Sequence, residues 1–175
     1  MPEDGEAETI ARAVEAGEDG IAVPAELLEE PEEASPAPPR NLYTQILAMG
    51  MAEKIKLALR GNRDARMILI RDPQKLIRRF VLQNPRLSDS ELIAIARNRS
   101  AEEDLLRVIA ERREWMRNYQ VRLALATNPK TPLVLALKQV ATLGERDLRL
   151  LAKSKNVSAT VAAQARRLLM TRGPG

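Results

Sequence analysis

A chain of 175 residues without cysteine or histidine has no disulfide, no thiolate or imidazole metal ligand, and neither of the commonest catalytic nucleophile and base pairs. Its formal charge of +4 hides a strong asymmetry: residues 1–40 hold 12 acidic and 2 basic residues, a net of −10, and residues 41–175 carry a net of +14. No stretch approaches the ~20 apolar residues that span a bilayer, and the acidic opening lacks the positive start of a secretory signal. The expectation is a cytoplasmic protein without metal, cofactor or membrane partner and without catalytic activity.

Residues 1–40 contain six of the eleven prolines and few large apolar side chains, so composition predicts a disordered acidic tail. Two pieces within it have helical potential on contact. Glu8 to Ala16 places Ile10 and Val14 four residues apart before Gly17, and Pro24 to Glu30 carries Leu27 and Leu28 among glutamates. A solvating tail is the favoured reading; docking motifs, or an arm folded back on the basic body, are the alternatives.

The body, residues 41–172, reads as a single helical domain. Asn41 is placed to cap a helix over 42–60, with Leu42, Ile46, Met49, Ile55 and Leu59 at three- and four-residue steps and Gly50 a weak point in its middle. Short helices follow: 63–71, then one after Asp72-Pro73 carrying Leu76, Ile77, Phe80 and Val81, closed by Asn84-Pro85. Ser88 with Glu91 and Ser100 with Glu103 have the spacing of capping boxes, ahead of Leu92, Ile93 and Ile95 and of Leu105, Leu106 and Ile109.

One helix is expected over 114–126, where Trp115, Tyr119 and Leu123 recur every fourth residue. Asn128-Pro129 and Thr131-Pro132 are cap-and-proline pairs for the helix over 132–141, with Gly144 as its left-handed stop. A helix over 145–153 carries Leu148, Leu150 and Leu151. A last helix over 159–171 directs Val161, Ala165 and Leu168 inward. No alternating strand pattern competes, so the fold class is all-α.

The chain also repeats itself. Val-Arg-Leu-Ala-Leu-Ala-Thr-Asn-Pro at 121–129 matches Ile-Arg-Arg-Phe-Val-Leu-Gln-Asn-Pro at 77–85, with a fainter copy at 55–62. With the Lys130-Thr131-Pro132 that follows, the first phrase resembles the leucine-rich repeat variant family, and more loosely the HEAT and armadillo class. The resemblance is good over 121–132 and partial over 77–85. It implies short alternating helices stacked as an irregular solenoid with an extended binding surface. The asparagine spacings at 62, 84, 98, 128 and 156 are uneven, which leaves a compact helical-repeat domain equally open. The cysteine-ligated cluster that a member of the family can carry does not transfer to a chain without cysteine.

The densest basic spots on the body are Arg78, Arg79, Arg97, Arg99, Arg112, Arg113, Arg117 and Arg122, with Arg166 and Arg167 near the end. Such residues either solvate helix faces or present planar forks to carboxylate or phosphate. The leading expectation is a protein-interaction adaptor that takes an acidic partner segment on this surface. The alternative is a nucleic-acid binder contacting phosphates there, with the acidic tail as competitor. Trp115 and Tyr119 among arginines have the composition of a base-stacking platform, although their helical spacing favours interior packing. The acidic residues at 89, 91, 102, 103 and 104 fall in helix first turns, where the macrodipole accounts for them.

Overall fold

A computed structural model describes residues 4–33 and 36–173. Twelve α-helices, one 3-10 turn and no strand are found among the described residues. The chain divides into two compact units, Met1–Leu87 and Ser88–Gly175.

The first unit is built from α1 (Asp4–Ala16), the 3-10 turn Ala25–Leu27, α2 (Arg40–Leu47), α3 (Met51–Arg60), α4 (Arg63–Leu69) and α5 (Lys75–Val81). The segment expected to be disordered is ordered over 4–33. In α1, Ala7, Ala11 and Val14 lie at i, i+4 and i+7, and all three are buried in the packing of α1 on α3. Small side chains here let the two backbones approach. Gly17 ends the helix at φ +71°, its amide bonded to Val14 O at 3.1 Å and that of Glu18 to Ala13 O at 2.9 Å.

Complementary charges complete the docking. Lys56 Nζ meets Asp19 Oδ1 at 2.7 Å and Ile21 O at 2.8 Å, Arg66 Nη1 meets Glu30 Oε1 at 2.7 Å, and Arg60 Nη2 donates to Glu15 O at 2.7 Å. These ties, with burial of Val14 and Leu27, offset the entropy of ordering that composition alone suggested would win. The structure therefore follows the folded-back arm rather than the loose tail.

The expected helix over 42–60 is two helices, α2 and α3, separated at Gly50, whose extended backbone (φ −71°, ψ 168°) makes it the cap of α3. Asn41 lies inside α2, which starts after Pro39, so it does not cap. The core of this unit centres on Ile46, Ile55, Leu57, Leu59, Ile68, Leu69, Ile77 and Phe80. Lys54 Nζ and Asp72 Oδ2 form a 2.9 Å ion pair with the aspartate side chain fully buried, while Asp72 Oδ1 accepts from Gln74 N at 2.9 Å.

The second unit comprises α6 (Asp89–Arg97), α7 (Glu103–Glu111), α8 (Arg113–Met116), α9 (Tyr119–Thr127), α10 (Leu133–Val140), α11 (Glu145–Lys153) and α12 (Ala159–Arg172). Ser88 and Glu91 form the expected capping box at α6. The second box does not form: Ser100 N is held by Asn98 Oδ1 at 2.9 Å, and α7 starts after Glu102 instead. The single helix expected over 114–126 is broken between α8 and α9, because Asn118 caps the latter by accepting from Gln120 N at 2.9 Å. Gly144 has φ −72° and precedes α11, so it is not a left-handed stop. Ala126, Ala136, Val140, Leu143, Leu148, Leu151, Val161 and Ala165 form a core among α9 to α12. On α11, Leu148 and Leu151 are buried, whereas Leu150 is 63% exposed.

The repeat phrase has a structural role that capping rules did not foresee. Asn84 Nδ2 donates to Ala58 O at 3.0 Å and Gly61 O at 3.1 Å, and Asn128 Nδ2 donates to Ala96 O at 2.7 Å and Asn98 O at 2.9 Å. Asn128 is the C-cap of α9 and Asn84 lies in the turn after α5, and each clamps carbonyls at the C-terminal end of an earlier helix. Their Oδ1 atoms accept from Arg86 N and Lys130 N, two residues on, at 3.0 and 2.9 Å. Asn62 repeats the clamp on Glu26 O and Glu29 O, both at 3.0 Å, so the acidic segment occupies the place of an earlier repeat. A side chain at Gly61 would collide with Leu57 O, which explains the glycine at this crowded helix end.

Candidate functional site

Two of the sequence-selected arginines belong to the first unit. Arg78 is buried and donates from Nη1 to Asp72 O at 2.8 Å and Pro73 O at 3.1 Å, holding the turn before α5; its neighbour Arg79 is exposed. The other eight lie in the second unit, where Arg166 and Arg167 are exposed on α12 and Arg166 donates to Ala152 O at 2.9 Å. Arg97 ends α6 and reaches Gln120 Oε1 on α9 at 3.4 Å, and Arg99 donates to Asn156 O at 3.1 Å. Arg113 and Arg117 are exposed and make no ion pair among the described residues.

Arg112 and Arg122 are held over aromatic rings. The Arg112 guanidinium sits 4.4 Å from the centroid of the Trp115 ring, and that of Arg122 sits 5.3 Å from the Tyr119 ring. Both rings are partly buried. The Tyr119 hydroxyl donates to Asp147 Oδ2 and accepts from Gly144 N at 3.0 Å. Burial and the Asp147 carboxylate raise the Tyr119 pKa above its ordinary value, so the phenol stays protonated.

Asp147, the partner of that tyrosine, lines a concavity of the second unit. A groove of about 280 Å³ is lined by Arg97 of α6, by Leu123, Ala124 and Thr127 of α9, and by Asp147, Leu150, Leu151 and Ser154 at α11. Helix α9 contributes Leu123, Ala124 and Thr127 to it, and α6, which packs on α9, contributes Arg97. On α11, Arg146, Leu150 and Lys153 are exposed at i, i+4 and i+7, which puts one cation on either side of the exposed leucine. Asp147 is the one carboxylate in the lining, and the Tyr119 hydroxyl engages it.

Of the predicted binding residues only Arg97 lines this groove; Arg122 stands next to it through Tyr119. Sequence reasoning missed the α11 contribution because it selected binding residues by arginine density alone. The signal was present, since Leu148 and Leu151 face one way while Arg146, Leu150 and Lys153 face the other.

The charge balance separates the units as well. Residues 1–87 hold 15 acidic and 12 basic residues, a net of −3, whereas residues 88–175 hold 9 acidic and 16 basic, a net of +7. Among the described residues no cluster of three acidic or other metal-ligating side chains could hold a metal ion, and no helix is long and apolar enough to cross a membrane.

These features define an all-α protein of two helical units, each with asparagine clamps within it, the second bearing an apolar groove with a basic rim. No protein family, curated protein or solved structure matches the chain.

Proposed function

We propose that this protein is a non-catalytic helical-repeat binding module, an adaptor of the kind the leucine-rich repeat variant resemblance suggests, which takes an acidic partner segment on the basic surface of its second unit. The supporting observation lies in the first unit. There, basic helices already hold an acidic segment through Lys56–Asp19 and Arg66–Glu30 pairs together with buried small apolar residues. The second unit carries its cations without an acidic segment of its own. Electrostatic attraction speeds encounter, and apolar contact supplies the retention.

Nucleic acid is the second reading, favoured by the density of exposed arginine. Fluorescence anisotropy with a labelled glutamate-rich peptide, mixed-sequence DNA and mixed-sequence RNA separates the two. The adaptor reading expects the peptide to bind at low salt and to retain part of its affinity as salt rises. Binding of DNA or RNA alone, with affinity falling steeply on a log–log salt plot, contradicts it.

A further inference from the structure

We propose that the groove between α6, α9 and α11 docks the apolar face of an acidic amphipathic helix from a partner protein. The inference rests on the adaptor reading above and names the place and the shape of its ligand. Four observations converge on it.

The lining is mostly aliphatic. Leu123, Ala124, Leu150 and Leu151 leave a concavity of about 280 Å³, large enough for one or two aliphatic side chains and too small for a helix backbone. The ligand helix therefore lies across the mouth and inserts an anchor, as in helix-in-groove recognition. Leu150, 63% exposed, is the residue that such an anchor would cover.

The rim is cationic. Arg97 stands on the α6 wall, and Arg146 and Lys153 flank Leu150 on the exposed face of α11. The one carboxylate in the lining, Asp147, accepts the Tyr119 hydroxyl and keeps its charge, but Arg97, Arg146 and Lys153 outnumber it. A unit with a net of +7 attracts a negatively charged segment from a distance.

The chain also shows the binding mode in cis. In α1, Ala7, Ala11 and Val14 form the buried stripe and acidic residues such as Glu6, Glu8 and Glu15 remain outside. That helix is not the occupant, since its stripe is only 1–3% exposed in the first unit. A partner helix of the same chemistry fits the second.

Nucleic acid fits this groove less well. Phosphates gain nothing from Leu150, and the aromatic faces that would stack bases carry Arg112 and Arg122.

The test uses the full chain and two labelled glutamate-rich peptides about 16 residues long. One carries leucines at i, i+4 and i+7; the other has the same composition with the stripe scrambled. At roughly 50 mM salt the striped peptide should bind at least about fivefold more tightly than its isomer. Leu150→Glu should weaken the striped peptide about tenfold or more, and Arg97→Glu severalfold with an effect that shrinks as salt rises. Val134→Glu, at a position 78% exposed outside the groove lining, should leave binding unchanged while helical content stays constant in all variants. Equal binding of the two isomers, or wild-type affinity in Leu150→Glu, overturns the groove and leaves the adaptor reading standing. Failure of both peptides to bind, with mixed-sequence DNA bound, overturns both.

Discussion

The two units use the same clamp for different ends. In the first, Asn62 grips the carbonyls of Glu26 and Glu29, and the acidic segment becomes the terminal layer of a basic stack. In the second, Asn128 grips the end of α6, and the cations around α9 and α11 face solvent. The difference teaches that charge in this chain is distributed by unit. In the first unit the chain supplies its own acid; in the second, the proposed partner would supply it.

The largest expected effect comes from removing that closure. Val14 and Leu27 alone represent roughly 3–6 kcal/mol of burial, set against a typical domain stability of about 5–15 kcal/mol. Deleting residues 1–33 should therefore abolish cooperative melting of the first unit, while amide exchange over α9 to α12 remains protected. An unchanged melting profile would mean that the segment is a leash after all.

The clamps come next. Asn84→Ala and Asn128→Ala each leave two carbonyls without their donor, and each should cost about 1–3 kcal/mol in denaturant unfolding, in its own unit only. Asn98→Ala removes one bond to Ser100 N at a partly exposed position and should cost below about 1 kcal/mol. Equal losses at all three sites would dissolve the distinction between a clamp and a turn.

The smallest effects are set by pH, and they have opposite signs in the two units. The Lys56 ammonium holds the Asp19 carboxyl below its ordinary range. Burial raises Glu30, but the hydrogen bond from Arg66 and the surrounding cations outweigh it and leave it lowered too. A depressed folded pKa gives stability that is present above the unfolded value and lost as pH falls through the folded one. The first unit should lose stability below about pH 4. Tyr119 is raised, so its contribution is complete below about pH 10 and fades as pH rises beyond that, in the second unit. Unfolding followed separately by amide exchange in each unit checks both windows, and Tyr119→Phe should erase the alkaline one.

Much of this architecture was legible in the sequence, and the failures have physical causes. Apolar spacing pointed to an all-α chain, and the Asn-Pro phrase marked two positions, Asn84 and Asn128, that make the same clamp on an earlier helix. Composition misjudged residues 4–33 because alanine scores weakly for burial, although Ala7 and Ala11 are just what close helix packing on α3 needs. The ion partners of that segment lie more than 30 residues away, at Lys56 and Arg66, beyond any local rule. Arginine content was equally blind to role: Arg78 and Arg79 are adjacent, yet one ties buried carbonyls and the other meets solvent. The break between α8 and α9 followed from the preference of Asn118 for a cap, which outweighed the four-residue spacing of Trp115, Tyr119 and Leu123.

The most direct test of the central claim is residue-resolved NMR of the full chain titrated with the leucine-striped acidic peptide. The account predicts saturable shifts at Arg97, Leu123, Thr127 and Leu150, with Lys56, Asn62 and Arg66 unmoved. Shifts confined to those three first-unit residues would contradict it, because they would show the peptide displacing the chain's own acidic segment.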